Sequence, residues 1–249
     1  MSLHSPAIRF SRGAGLALAA GATLFALAGQ LAYAQSSGGR TFGDLRGFDG
    51  VTLAGSDTVI VTRGAGFSVR AEGDPKAIDQ LDIFVRGRDL HVERKKRRWG
   101  GWFSSSDKGA TVRVTLPLLR RAVLAGSGDM RVDLMRGRTV EAKLAGSGNL
   151  GIRRIEAQSA IFDLASSGDL NAAGRVGKSM VSMAGSGDVH ADRLAADNIS
   201  VSLVGSGNAY LRASRAATIS IVGSGDVTIK GTRNCRVSKL GAGDARCTL

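Results

Sequence analysis

Histidine and cysteine are scarce in this chain, and much catalytic chemistry goes with them. Its 249 residues include three histidines and two cysteines. His4 lies in the leader, His91 stands alone, and His190 falls on an outward position of the repeat described below. No Cys/His cluster has metal-ligand spacing, so no metal is expected. Six turn serines without a histidine partner indicate turn geometry, not a nucleophile. Convergent carboxylates are missing too, since Asp163 and Glu156 face outward singly. Beyond the leader there is no second apolar span. These absences argue against an enzyme and against a cofactor.

What the chain has instead is one phrase written seven times. It reads Gly126-Ser127-Gly128-Asp129, Gly146-Ser147-Gly148-Asn149, Ser166-Ser167-Gly168-Asp169, Gly185-Ser186-Gly187-Asp188, Gly205-Ser206-Gly207-Asn208, Gly223-Ser224-Gly225-Asp226 and Gly241-Ala242-Gly243-Asp244. The second glycines recur every 18 to 20 residues. A period in this range, punctuated by a tight turn, marks a solenoid with one coil per repeat. Gly146-Ser-Gly148-Asn-Leu-Gly151 matches the dinucleotide fingerprint by letter, but it lies inside the repeat with no helix expected after it.

Counting from each second glycine gives columns of apolar residues. Six before it stand Ala122, Ala142, Phe162, Val181, Val201, Ile219 and Val237. Four before it stand Leu124, Leu144, Leu164, Met183, Leu203, Ile221 and then Lys239. Two after it stand Met130, Leu150, Leu170, Val189, Ala209, Val227 and Ala245; four after it, Val132, Ile152, Ala172, Ala191, Leu211, Ile229 and Cys247. Alternation of this kind predicts a strand on each side of the turn with one buried face. Stacking the coils buries those faces together. The expected fold is all-β: a right-handed parallel β-helix, the hand following from the preference of parallel crossovers. The glycines are expected to supply positive φ, and each following Asp or Asn to bond a nearby amide as in an Asx-turn. A calcium ladder of the β-roll kind would need a different phrase and spacing.

Residues 1–34 read as a cleavable secretory signal: Arg9 and Arg12, an apolar stretch from Ala14 to Ala28, then Ala32-Tyr33-Ala34. Its removal takes the formal charge from +13 to +11, a balance that favours anionic partners. Residues 35–47 read as a linker and 48–249 as one domain. Cys235 and Cys247 should both point inward in the last coil, and an oxidising compartment permits a disulfide there. Lys239, in a column otherwise filled by Leu, Met or Ile, marks the end of the stack.

Residues 48–121 are less regular and read as early coils that cap the solenoid. Short strands are expected at Phe48–Leu53, Asp57–Arg63, Phe67–Glu72, Ile83–Arg86, Leu90–Glu93 and Thr111–Leu116, with a helical turn opening at Asp74-Pro75. Gly55-Ser56-Asp57 is a degenerate copy of the repeated phrase. The stretch over 94–109 interrupts the pattern with Arg94, Lys95, Lys96, Arg97 and Arg98, followed by Trp99, Trp102 and Phe103. It is expected to be the tip of a long hairpin. Cations beside aromatics there suit a phosphate-rich or lipid-interface partner.

The Gly-Ser-Gly-Asp/Asn turns resemble the bacterial GIN-domain family, the "putative auto-transporter adhesin head" domain. So do the opening Phe48-x-x-Val51-x-Leu53, then Val59-x-Val61, and the leader. The resemblance spans about Phe48 to Leu249. It implies a β-helix exposed in the periplasm or at the cell surface, and it brings no catalytic residues. No barrel-forming region follows Leu249, so self-export across an outer membrane is not expected. The expected role is adhesion or envelope scaffolding, with an envelope component or an anionic glycan or lipid surface as partner, and no nucleic acid. A polysaccharide-active enzyme on the same fold and a polyanion binder acting through residues 94–103 are the alternatives.

Overall fold

Equivalent residues of successive repeats lie side by side, in parallel register, on both sides of each glycine corner, with shifts of register farther along the strands. The computed structural model describes residues 38–95 and 109–249. The leader, and Lys96 to Phe103 of the basic stretch, lie outside the described residues. In the regular half, β8 (Arg121–Gly126) and β9 (Asp129–Val132) flank the first corner. Longer strands follow, each running from one corner nearly to the next: β10 (Met135–Gly146), β11 (Leu150–Ser166), β12 (Leu170–Gly185), β13 (Val189–Gly205) and β14 (Ala209–Gly223). Leu124 pairs with Leu144, then Leu164, Met183, Leu203, Ile221 and finally Lys239. On the other side Met130 pairs with Leu150, then Leu170, Val189, Ala209, Val227 and Ala245. Up to Ile221 and Val227 these side chains are buried. The parallel β-helix expected from the repeat is the fold.

A further inward column completes the core between the two sets. Val140, Ala160, Ser179, Ile199, Ala217 and Cys235 lie in register, and Met135 pairs with Ile155 beside them. This column is less apolar, and the bends before it break the two-residue alternation, so it does not stand out in the sequence.

The two glycines of each corner are needed for overlapping reasons. The first has φ between 124° and 135° at 126, 146, 185, 205, 223 and 241, a region that L side chains avoid. Its carbonyl points along the solenoid axis and accepts one or two amides of the next coil. Gly126 O, for example, receives Ser147 N at 3.0 Å and Gly148 N at 3.1 Å. The second glycine is excluded from carrying a side chain by this close approach. A Cβ on Gly148, Gly168, Gly187, Gly207, Gly225 or Gly243 would sit well inside 3.0 Å of the preceding coil's carbonyl oxygen. Backbone contact therefore bars a side chain at both glycines, and positive φ is an additional reason at the first, where a Cβ would lie 2.2–2.3 Å from the preceding coil's carbonyl oxygen. Ser166 takes the first place in one coil, where its hydroxyl donates to Gly168 O at 3.1 Å.

The Asp/Asn row does not make the local Asx-turn expected of it. Each side-chain oxygen accepts the backbone amide of its counterpart one coil on. Asp129 Oδ1 takes Asn149 N, and the chain continues through Asn149, Asp169, Asp188, Asn208 and Asp226 to Asp244, with distances of 2.7 to 3.2 Å. The next coil's amide is the donor left without a partner at the corner, so the side chain reaches outward along the stack. Asn149 and Asn208 also donate to Asp129 and Asp188, which relieves like-charge contact in the row.

In the N-terminal half, chain order and stacking order part company. β2 (Gly50–Gly55) and β3 (Thr58–Arg63) pair directly with β8 and β9. β6 (Asp89–Arg94) and β7 (Thr111–Leu116) then lie outside them. The end is closed by antiparallel β5 (Leu81–Arg86) on β6 and by β4 (Ser68–Gly73) on β7. β1 (Gly38–Phe42) covers β4 and falls within the stretch expected to be a linker. The helical turn α1 (Pro75–Asp79) forms as expected, with Asp74 Oδ1 accepting Lys76 N at 2.8 Å. The hairpin is β5–β6. β6 and β7, which flank the basic stretch, do not pair with each other among the described residues, and the expected hairpin tip lies outside those residues.

At the far end, β15 (Val227–Lys230) and β16 (Cys235–Leu240) form the last full coil, and β17 (Ala245–Thr248) adds half of another. The Cys235–Cys247 disulfide links the two sides, closing 12 residues over the end of the core. Lys239 turns to Gly243 O and Asp244 at 3.2 and 3.0 Å.

Two outcomes test this packing. Gly148→Ala should lower unfolding stability by about 1–3 kcal/mol or more, because two backbones must separate. Gly151→Ala, whose Cβ would meet nothing within 4 Å, should stay within about 1 kcal/mol of the native chain in a denaturant titration. Loss of the disulfide in Cys235→Ser/Cys247→Ser should remove about 3 kcal/mol from the last coil. Hydrogen exchange should then accelerate in β16 and β17 and stay unchanged in β10 to β12.

Candidate functional site

The outward residues form straight rows as regular as the inward columns. One row, three residues after each second glycine, runs along the side of β9 and its successors. It contains Arg131, Gly151, Asn171, His190, Tyr210, Thr228 and Arg246 in register. Ile60 and Arg113 continue it towards the N-terminal cap. His190 and Tyr210 lie parallel, with ring centroids 5.3 Å apart and planes within 3°. Gly151 leaves a gap in this row and opens a groove of about 520 Å³, whose rim carries Arg131, Asp133, Arg153, Asn171 and Arg193. Arg153 pairs with Asp133. Arg131 and Arg193 have no ion pair among the described residues.

The opposite lateral face carries less charge and holds a second concavity, of about 380 Å³. Ala145, Ala165, Ala184, Val204, Val222 and Leu240 form one outward row. Lys143, Asp163, Ser182, Ser202, Ser220 and Ser238 form the next.

A third concavity near the N-terminal cap is filled with ion pairs. Asp49 accepts Arg88 Nε at 3.0 Å and pairs with Arg120 at 2.8 Å. Arg121 joins Asp89 at 3.3 Å and Glu141 at 3.0 Å, and Lys143 joins Glu141 and Asp163. The hydrogen bond from Arg88, with the charge of Arg120, holds the Asp49 carboxyl below its usual range. This network ties three strand starts together.

Of the basic stretch, only Arg94 and Lys95 are described. Arg94 grips the buried carboxylate of Asp57 with two bonds of 2.7 and 2.9 Å, and Asp57 also accepts Ala110 N at 2.8 Å. Asp57 thus fastens both described ends of the insertion. Removing Arg94 would strand a buried carboxylate, so its role is structural. Lys95 Nζ donates to Asp79 O at 2.9 Å.

No group of three or more His, Cys, Asp or Glu among the described residues could hold a metal ion. The acidic side chains lining these concavities are each paired with arginine or lysine. The Arg131–Tyr210 row was missed in the sequence, although its constant offset from the second glycine is a readable signal. Chemical variety along the row hid it, because its members share position and not residue type.

A family model described as "Putative auto-transporter adhesin, head GIN domain" matches residues 47–232. The chain belongs to this family. The GIN-domain fold recurs in a crystal structure of a putative adhesin from Bacteroides fragilis, at TM-score 0.76 and 17% identity, covering 86% of this chain and 97% of that one. A putative lipid binding protein from Parabacteroides distasonis aligns at TM-score 0.62 and 21% identity over 85% and 96% of the two chains. A putative adhesin from the same species gives 0.60 and 19% over 84% and 96%. At these identities the likeness is one of fold. No curated protein matches the sequence.

The Asp49 network generates a pH test. A carboxyl depressed in the folded state stabilises fully above its unfolded value, near 3.8, and loses that contribution as pH falls through the folded value. Asp49→Asn should therefore lower the unfolding midpoint by a constant amount at neutral pH. The gap to the native chain should close below pH 3.8.

Proposed function

We propose that this GIN-domain protein is an exported, non-catalytic binding protein of the cell envelope, adhesive or scaffolding in role. The observation that carries this reading is the straightness of the outward rows on the lateral faces. Rows repeating at about 4.8 Å per coil offer a rigid, extended surface suited to a partner longer than a small molecule. The adhesin description of the family supports the same class of function. An enzyme on this fold would need acidic groups free to act, whereas those lining the concavities are engaged in ion pairs with arginine or lysine. No described helix is long and apolar enough to cross a membrane, which fits a chain delivered by its leader and held at the envelope by binding.

Export should cleave the chain after Ala34, leaving Gln35 as the new N-terminus in sequencing of the purified protein. Fractionation should place it in the periplasm or at the surface, and it should co-sediment with isolated envelopes. Protease treatment of intact cells separates the two locations. Recovery of uncleaved chain in the cytoplasm, with no envelope association, would overturn the proposal.

A further inference from the structure

Three features coincide on the β9 side of the solenoid. The Gly151 gap makes the groove. Arg131 and Arg193 stand at it without ion-pair partners among the described residues. Asn171 and then the parallel rings of His190 and Tyr210 continue from it along the same row. Guanidinium groups recognise carboxylates through a planar fork of donors, amides recognise hydroxyls, and ring faces accept the C–H faces of sugars.

We infer that this lane binds an extended acidic glycan lying along the solenoid axis. The inference rests on the envelope-binding reading above and names its ligand class. One sugar ring of an extended chain is close in length to the coil spacing of about 4.8 Å. Successive rings can therefore meet successive side chains of the row. A carboxylate-bearing sugar seats at Arg131 or Arg193, with the gap at Gly151 giving it depth. A neighbouring ring packs on Tyr210, which is 38% exposed and braced from behind by His190. Along the corner beside the lane runs the row Asp129, Asp169, Asp188, Asp226 and Asp244. A polymer that cannot turn its charge away from that row would press anions against it. A glycan carrying carboxylates on one edge and hydroxyls on the other presents hydroxyls to it instead.

The test uses the exported full-length protein and three variants: Arg131→Ala/Arg193→Ala, Tyr210→Ala and Gly151→Phe. The last fills the groove from a position where an added Cβ meets nothing within 4 Å. Probes are labelled oligogalacturonides, neutral cello-oligosaccharides of the same length, phosphatidylglycerol vesicles and a single-stranded oligothymidylate. The native chain should bind oligogalacturonide at least tenfold more tightly than the neutral sugar or the oligothymidylate. Gly151→Phe and Tyr210→Ala should each weaken that binding at least tenfold with an unchanged melting temperature. The double arginine variant should lose the salt dependence. The proposal is overturned if the native chain ignores oligogalacturonide, if the variants bind it as well as the native chain, or if vesicles or oligothymidylate bind more tightly. Envelope co-sedimentation separates the two readings. Native-like sedimentation of Gly151→Phe, alongside unchanged oligogalacturonide binding, removes this lane and leaves envelope binding standing. Failure of the native chain to sediment removes the broader function.

Discussion

Coils of this solenoid meet at the corner with backbone against backbone, and that contact sets the register of everything else. The first-glycine carbonyls point along the axis into the next corner, where each takes one or two amides as far as a following corner exists. Nothing larger than hydrogen fits at the second glycine. A slip of one residue would drive a Cβ into a carbonyl and turn every inward side chain to solvent. The Asp/Asn bonds between coils then fasten the same register from outside. Hydrophobic burial gives the stack its stability, and the corner gives it only one way to assemble.

The two ends solve the edge problem of a parallel stack differently. Exposed strand edges invite pairing with other chains. At the N-terminal end the chain turns back on itself, laying antiparallel β1, β4 and β5 across the outermost coil with α1 beside them. At the other end a covalent link crosses the core, and Lys239 occupies a column position that would be apolar inside the stack. Antiparallel strands need no matching coil beyond them, which is why they suit a terminus.

The regular half was legible because one constraint repeats: an apolar column read from seven copies is hard to mistake. The paired positions from Ala122 to Ile221 and from Met130 to Val227 follow the counting rule. Less legible was whatever depends on contacts between coils. The partner of Asp129 is 20 residues away, so a local turn rule pointed to the wrong amide. The place of β6–β7 outside β2–β3 follows from pairing in space and has no trace in chain order. Arg94 looked like one of five equivalent cations, and only the buried carboxylate of Asp57 distinguishes it from the rest. Phrases that repeat disclose what the fold requires, and positions that vary at a fixed offset disclose where it is free.

That freedom is unevenly distributed between the lateral faces. On the incoming side, the row before each corner adjoins the first corner residue, in most coils a glycine held at positive φ, and stays small through Ala145, Ala165 and Ala184 before growing to Val204, Val222 and Leu240. Serines flank most of it, so this surface offers little charge that would orient a ligand. On the outgoing side, the row two residues beyond each Asp or Asn is clear of the corner and is packed only by its own neighbours. It accommodates Arg, Gly, Asn, His, Tyr and Thr in turn without disturbing the core beneath. A rigid register combined with a chemically permissive row lets one backbone carry a site extended over several coils. Its specificity can then change by single substitutions that leave stacking intact.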